Sequence, residues 1–198
     1  MKKILVLFSH PKFEKSRANA VLVDHIINME GVTFHDLYEK YPDFHIDVDA
    51  EKELLNKHDI IIWHHPFYWY SCPPLMKQWI DLVLEFGWAY GPGGIALQNK
   101  ICLNVITTGG SRELYCSKGT NSFSVNEFLR PFEQTANLCG MTYFPPFALM
   151  GTHLLADTEL EEHGVQYAKL IALLQNNLTL GEFTGCAFLN DIPQLKSS

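Results

Sequence analysis

The sequence contains no long hydrophobic run. Nowhere in its 198 residues do apolar side chains continue for the ~20 positions that a transmembrane helix requires. Near the start, Lys2 and Lys3 precede only the short run Ile4–Phe8, which is shorter than the apolar core of a secretion signal. These absences exclude a helical membrane-spanning protein and predict a chain with no secretion signal.

Basic residues are also few. Lys and Arg total 15 against 22 Asp and Glu, which gives a formal net charge of −7. A general duplex-binding protein needs a basic face to neutralise phosphates, so nucleic acid is not an expected partner, although a local basic pocket is still allowed. Hydrophobic residues make up 47% and charged residues 19%, a balance that excludes a disordered chain and indicates a globular one.

Cysteine pairs at functional spacing are missing as well. The cysteines are odd in number and widely spread: Cys72, Cys102, Cys116, Cys139 and Cys186. This pattern predicts free thiols in a reducing cytoplasm rather than a disulfide framework. No two cysteines sit at zinc-ligand spacing, and His64-His65 lies at a predicted strand end instead of forming a helical pair. No metal site is therefore expected.

Short β-rich runs alternate with helical periods along the chain. Strands are predicted at 3–8, 32–36, 60–63, 101–106 and 143–149, and helices at 16–30, 50–56, 73–86, 124–138 and 158–180. Pro131 interrupts one helix, and Pro145-Pro146 indicates an edge position or a bulge in the last strand. The alternation predicts an α/β domain over residues 1–180, with a five-stranded parallel sheet of order 2-1-3-4-5 and helices on both faces. Residues 181–198 lack periodicity and are predicted to form an irregular tail.

Ligands of such a sheet bind at the carboxyl ends of the strands. After the first strand there is neither a G-x-G-x-x-G motif nor a P-loop. Ser16 and Asn19 stand instead at a helix start, where free N–H groups attract phosphate, with His10 and Arg17 as expected cationic donors. An ordinary N-cap with a surface loop explains this segment about equally well.

The loops after the third and fourth strands carry aromatic residues and glycines. Four aromatic residues in a row, Phe67 to Tyr70, are compatible with core packing but also suit a flat aromatic ligand. After Thr107 and Thr108, the pair Gly109-Gly110 is either a plain turn or a place where backbone N–H groups approach a ligand. Together the three loops fit a phosphorylated planar cofactor, and flavin mononucleotide (FMN) is the obvious candidate.

Several motifs give the chain a family resemblance. These are the H-P and S-x-A-N loop at 10–19, D-L-Y-x-x-Y-P-D-F-x-I-D at 36–47, H-P-F-Y-W-Y-S-C-P-P at 65–74, G-W-A-Y-G-P-G-G at 87–94, T-T-G-G at 107–110 and P-P-F at 145–147. Over about residues 3–175 the sequence resembles the flavodoxin-like NAD(P)H:quinone oxidoreductases. Among these it is most similar to the ancillary oxidoreductases of glutathione-regulated potassium efflux systems.

The resemblance implies a cofactor, substrates and site residues. FMN is expected rather than FAD, because the chain is too short for the C-terminal extension of the FAD-binding relatives. NAD(P)H is the implied donor and a quinone or similar electrophile the acceptor. The implied cofactor-binding residues are, for the phosphate, His10, Ser16, Arg17, Ala18 and Asn19; beside the flavin ring, Pro66, Phe67, Tyr68, Trp69 and Tyr70; and at its pyrimidine edge, Thr107, Thr108, Gly109 and Gly110. Tyr115 is the implied catalytic residue, but Asn121 replaces the histidine that partners this tyrosine in mammalian quinone reductases.

The family also implies a homodimer. Its interface is expected at the aromatic segments around Tyr41 to Phe44 and around Trp88 and Tyr90. Two alternatives to an enzyme stay open: an electron carrier of the flavodoxin type, and a regulatory subunit docked on a potassium efflux antiporter. The expected location is the cytoplasm, with peripheral attachment at the inner face of the cell membrane if such an antiporter is bound.

Overall fold

A computed structural model describes residues 1–176 and 185–195 of the chain. Its sheet has the strand order β2-β1-β3-β4-β5, with β6 also paired to β4, so the predicted order 2-1-3-4-5 is confirmed. The pairings are parallel. The strands are β1 (Ile4–Phe8), β2 (Val32–Asp36), β3 (Ile60–Pro66), β4 (Ile101–Thr107), β5 (Thr142–Tyr143) and β6 (Phe147–Leu149).

The predicted last strand is broken into two pieces. Both β5 and β6 pair with β4, and Pro145-Pro146 lies between them. Proline has no N–H to donate to a ladder, so the pairing stops there and resumes at Phe147. The structure therefore realises the predicted irregularity as an interruption of the strand.

Helices cover both faces of the sheet. They are α1 (Arg17–Asp24), α2 (Leu37–Lys40), α3 (Val48–Asn56), α4 (Pro74–Val83), α5 (Val125–Phe128), α6 (Arg130–Leu138) and α7 (Asp157–Gln175). The predicted helix 124–138 is split at Leu129, and Pro131 stands in the first turn of α6, where a missing N–H is tolerated. The first helix ends at Asp24, earlier than predicted, and the short α2 was not predicted.

Two apolar layers enclose the sheet. In β1, Leu5 and Leu7 point to the side that packs with α3, α4 and α6, whereas Ile4 and Val6 point to the side of α1 and α7. This period-two alternation follows from the pleat of a strand. All four side chains are fully buried, as expected for a parallel sheet covered on both faces.

Part of the predicted tail packs against the domain. Residues 185–195 contain two short 3₁₀ turns, Leu189–Asp191 and Pro193–Leu195. Leu189, Ile192 and Leu195 are fully buried in the layer of α1 and α7. The predicted boundary at residue 180 lies outside the described residues. Within 1–176 and 185–195, no helix combines the length and apolar character needed to cross a membrane.

A buried carboxylate joins β2 to α3 and α4. Glu51 is 1% exposed, and it accepts hydrogen bonds from His35 Nε2 at 2.8 Å, Tyr41 Oη at 2.6 Å and Trp79 Nε1 at 2.7 Å. Burial alone would raise the pKa of this carboxyl, but the hydrogen bonds from His35 and Tyr41 outweigh burial and lower it. The carboxylate is therefore ionised and accepts from three side-chain donors.

The hydrogen-bonded cluster around Glu51 bears on the dimer interface expected from the sequence. Tyr41 is buried within the chain and bonded to Glu51, so it is unavailable to a second subunit. Phe44, Trp88 and Tyr90 are partly buried and pack against the same apolar layer. The interface expectation is therefore wrong for Tyr41, whereas Phe44, Trp88 and Tyr90 keep partly exposed surface, and for them it stays a prediction.

We expect Glu51→Gln to lower the free energy of unfolding by about 3 kcal/mol near neutral pH, because an amide nitrogen would face donors that need an acceptor. The folded-state pKa of Glu51 is lowered, so its contribution is present above the unfolded pKa and is lost as the pH falls through the folded value. Urea unfolding of both proteins should therefore give a smaller difference at about pH 3 than near neutrality. Glu53→Gln, at an exposed position of α3, is the matched control, and wild-type stability of Glu51→Gln at neutral pH would contradict the expectation.

Candidate functional site

A cleft of about 310 Å³ opens at the carboxyl ends of β1, β3 and β4, where the strand order of the sheet reverses. This is the edge at which open α/β sheets bind ligands. Its lining comprises His10, Lys12, Lys15, Ser16, Arg17, Ala18, Asn19, Pro66, Phe67, Tyr68, Thr107, Thr108, Gly109, Thr152 and His153.

Most of the predicted site residues meet in this cleft. The exceptions are Trp69, Tyr70, Gly110 and Tyr115, which do not line it. Sequence reasoning missed Lys12, Lys15, Thr152 and His153. The two lysines were visible in the first loop, whereas Thr152 and His153 follow β6, a loop to which no ligand role was assigned.

The first loop forms the end of the cleft built on a helix N-terminus. Ser16 is the N-cap of α1, and its Oγ accepts from the backbone N–H of Asn19 at 3.3 Å and from Asn19 Nδ2 at 2.9 Å. Because both bonds use the hydroxyl oxygen as acceptor, its proton remains available to a ligand. The N–H groups of Arg17 and Ala18 have no carbonyl a turn earlier within α1, and the positive end of the helix favours an anion there.

A buried amide fixes this helix end to the sheet. The side chain of Asn19 is 1% exposed. Its Nδ2 donates to Thr107 Oγ1 at 3.0 Å in β4, and its Oδ1 lies 3.1 Å from His64 Nε2 in β3. Burial lowers the pKa of His64 to about 3. The imidazole is therefore neutral, and the acceptor opposite Nε2 places its proton on that nitrogen.

Two of the expected cationic donors behave differently from the prediction. Burial lowers the pKa of His10, and its Nδ1 accepts from the N–H of Lys12 at 3.1 Å, so it is a neutral ring with Nε2–H as donor. The guanidinium of Arg17 is bonded to Asp157 at 2.5 Å and to the Leu155 carbonyl at 3.3 Å. The positive charge left at the cleft thus comes chiefly from Lys12 and Lys15.

The aromatic loop carries backbone strain. Trp69 has φ 50° and Tyr70 has φ 62°, left-handed values that bulky side chains rarely adopt. Tyr70 is held by a hydrogen bond from its Oη to Asn121 Oδ1 at 3.2 Å and by stacking on Phe128. Trp69 is 93% exposed. Strain held in place by surrounding contacts is typical of ligand-binding loops.

The glycine pair supplies free donors at the cleft edge. Within the described part of the chain, the N–H groups of Gly109 and Gly110 donate no hydrogen bond. A Cβ at Gly109 would lie 2.9 Å from His153 Cδ2, and one at Gly110 would lie 3.0 Å from Tyr115 Cε2. A side chain at either position would therefore fill the space beside these donors.

Tyr115 stands behind the glycine pair. Its ring centre lies 5.9 Å from that of Phe67, which does line the cleft. Burial raises the pKa of Tyr115, an effect that a hydrogen bond with Thr108 opposes. The phenol keeps its proton and can act as a donor. Asn121, at the position of the expected partner, bonds to Tyr70.

Metal-ligating side chains do not gather in the described ranges. Among residues 1–176 and 185–195, no group of three or more His, Cys, Asp or Glu side chains is arranged to hold a metal ion. All five cysteines are free thiols.

Comparison with known proteins places the chain in a family. A family model described as a flavodoxin-like fold matches residues 2–171. The uncharacterized NAD(P)H oxidoreductase YdeQ of Bacillus subtilis is 43% identical over 88% of this chain and 89% of its own length. The glutathione-regulated potassium-efflux system ancillary protein KefG of Salmonella paratyphi B is 42% identical over 86% of this chain and 93% of its own length.

Two solved structures are also similar to this chain. General stress protein 14 of Treponema denticola, crystallised in complex with FMN, is 38% identical with a TM-score of 0.82, over 88% of this chain and 98% of that one. An NADPH-quinone reductase of P. pentosaceus is 30% identical with a TM-score of 0.77, over 85% of this chain and 96% of that one.

Proposed function

The chain belongs to the flavodoxin-like family, and from that premise we propose that it is an FMN-dependent NAD(P)H oxidoreductase that passes two electrons to a quinone or a similar electrophile. The observation that carries the proposal is the combination within one cleft of a helix N-terminus, an aromatic wall and residues of the glycine loop. A nucleotide with one phosphate and a flat ring needs these three features together.

The relatives support each part of this activity. FMN is bound by the Treponema protein, the Bacillus relative is named an NAD(P)H oxidoreductase, and the P. pentosaceus structure is named an NADPH-quinone reductase. FMN is preferred to FAD here because the cleft offers a single phosphate cradle and the sequence has no second one.

The residues present fit the flavin chemically. The Ser16 hydroxyl and the backbone N–H groups of Arg17 and Ala18 would hold the phosphate, with Asn19 positioning Ser16, and Lys12 and Lys15 would balance its charge. Pro66, Phe67 and Tyr68 would lie beside the ring. When bound, the flavin accepts a hydride and gives up two electrons.

The end of the cleft beside the glycine pair would stabilise negative charge on the flavin ring. The free N–H groups of Gly109 and Gly110 would face the pyrimidine edge, where reduction places negative charge. The protonated phenol of Tyr115 would add a third donor behind them. Because all three donors are held by the fold, they need no rearrangement during the reaction, and catalysis is chiefly a matter of positioning.

A second candidate function follows from one relative. The similarity to a potassium-efflux ancillary protein supports a role as a flavoprotein subunit docked on an antiporter at the inner face of the cell membrane. The five free thiols suit a cytoplasmic protein. Enzyme and subunit roles are compatible, and co-purification with an antiporter encoded beside the gene would support the subunit role.

Anaerobic titration with NADH or NADPH should bleach the yellow protein, and a quinone should then restore the colour. Because one cleft must serve donor and acceptor in turn, initial rates over a grid of both concentrations should give parallel double-reciprocal lines. Chromatography of the heat-released cofactor should show FMN. FAD or no flavin after reconstitution would contradict the proposed function, and intersecting lines would mean a second substrate site.

Gly109→Val should weaken FMN binding by at least about tenfold, or ~1.4 kcal/mol. Its methyl groups would press on His153 and crowd the free N–H groups. Gly109 does not have a positive φ, so valine can adopt its backbone and the melting temperature should change little. Flavin fluorescence quenching measures the affinity, with Gly109→Ala as the milder matched variant. Unchanged affinity in both variants would place the ring edge elsewhere.

We also propose a homodimer. Large apolar side chains stand exposed in the monomer, notably Trp69 at 93% and Phe86 at 69%, and exposed apolar patches commonly mark interfaces. Sedimentation velocity at micromolar concentration should show a species of twice the monomer mass. A single monomeric boundary across that range would rule out the dimer.

A further inference from the structure

The described C-terminal residues lie beyond the family match yet contact the loop that follows β4. The family model ends at residue 171, whereas the described segment 185–195 packs along β6 and contacts the loop 108–115 that follows β4. We propose that this segment, here named the C-terminal strap (residues 185–195), holds the loop 108–115 in its ligand-binding conformation through Arg112 and Asp191. The inference rests on the proposed function, because it concerns affinity for the flavin ring.

The strap is itself firmly attached. Leu189, Ile192 and Leu195 are fully buried. The N–H of Leu189 donates to the Pro146 carbonyl at 2.9 Å, and Asn190 Oδ1 accepts from the N–H of Ala148 at 2.8 Å. The strap thus uses backbone groups around the break between β5 and β6. A segment anchored in this way can serve as a fixed point for a mobile neighbour.

Arg112 connects the strap to the loop. Its two terminal nitrogens donate to the two carboxylate oxygens of Asp191 at 2.9 and 2.7 Å, and its Cζ lies 4.6 Å from the centre of the Phe188 ring. A two-point pair stacked on an aromatic face defines both direction and distance. A single exposed ion pair would contribute little to stability, so the value of this contact lies in where it places Arg112.

The position of Arg112 matters because groups that can donate to a ligand flank it in the loop. The loop is held before Arg112 by Gly151, whose N–H donates to the Gly110 carbonyl at 2.9 Å. In the sequence of the loop, Arg112 stands between Gly109-Gly110, with their free N–H groups, and Tyr115. The strap therefore fixes the stretch that sets the spacing of these two donor groups. Because this stretch is ordered before the ligand arrives, the entropic cost of ordering it does not reduce the binding affinity.

The strap acts at the ring end of the cleft and not at the phosphate end, which is built on α1. Variants of the strap should therefore weaken FMN and riboflavin by the same factor. Ser16→Ala, at the phosphate end, should weaken FMN and leave riboflavin almost unchanged. This pairing of ligands distinguishes loop positioning from a general loss of the site.

The experiment measures FMN and riboflavin affinity by flavin fluorescence quenching in Asp191→Asn, Arg112→Gln and the double variant. Point variants are needed because removing the strap would uncover the apolar layer of α1 and α7 against which Leu189, Ile192 and Leu195 pack. Each single variant should weaken both ligands roughly threefold to tenfold, and the double variant should be no weaker than either single one. Asp81→Asn, which breaks the exposed pair with Lys77, is the matched control and should bind like wild type.

Hydrogen exchange of the flavin-free protein gives an independent readout. Amides of residues 110–115 should exchange faster in Asp191→Asn than in wild type, whereas those of α1 should not change. Wild-type affinity with wild-type exchange in Asp191→Asn, or additive losses in the double variant, would overturn the proposal. Failure of the wild-type protein to bind FMN would refute the proposed function instead, and the exchange comparison would still decide the role of the strap.

Discussion

The buried side-chain amide of Asn19 connects the segments from which the cleft is built. It bonds to Ser16 at the start of α1, to Thr107 at the end of β4 and to His64 in β3. Each partner precedes or begins one wall of the cleft. An amide in this position cannot lose a partner without leaving a buried polar atom unsatisfied. The helix end, the aromatic loop and the glycine loop are therefore held at set distances by one residue.

The polar groups inside the sheet act as structural spacers and carry no charge. Burial lowers the pKa of His64 to about 3 and that of His65 to about 4. His65 bonds to the Pro66 carbonyl at 3.0 Å and to Asn104, whose Oδ1 accepts from Tyr143. This chain of neutral hydrogen bonds ends at the start of the aromatic loop. These buried groups therefore offer fixed, uncharged dipoles beneath the cleft.

Much of the architecture could be predicted because it depends on local rules. The continuous apolar run Ile4–Phe8 indicates a strand buried on both faces, and strands that alternate with helices admit few topologies. Pro145-Pro146 marks the break in the last strand by another local rule, since proline has no N–H to donate to the ladder. Once the sheet order is set, the loops after β1, β3 and β4 must share an edge. That is why most of the site residues inferred from sequence meet in one cleft.

The sequence by itself thus determined the layers, the strand order and the edge at which a ligand would lie, since these follow from periodicity and chain geometry. Only the tertiary structure decided which groups are free to act there. Arg17 is paired with Asp157, 140 residues away, Tyr41 is drawn inward by Glu51, and Arg112 is fixed by the distant Asp191. The charge, exposure and direction of a side chain depend on neighbours that folding supplies, and no local pattern in the sequence records them.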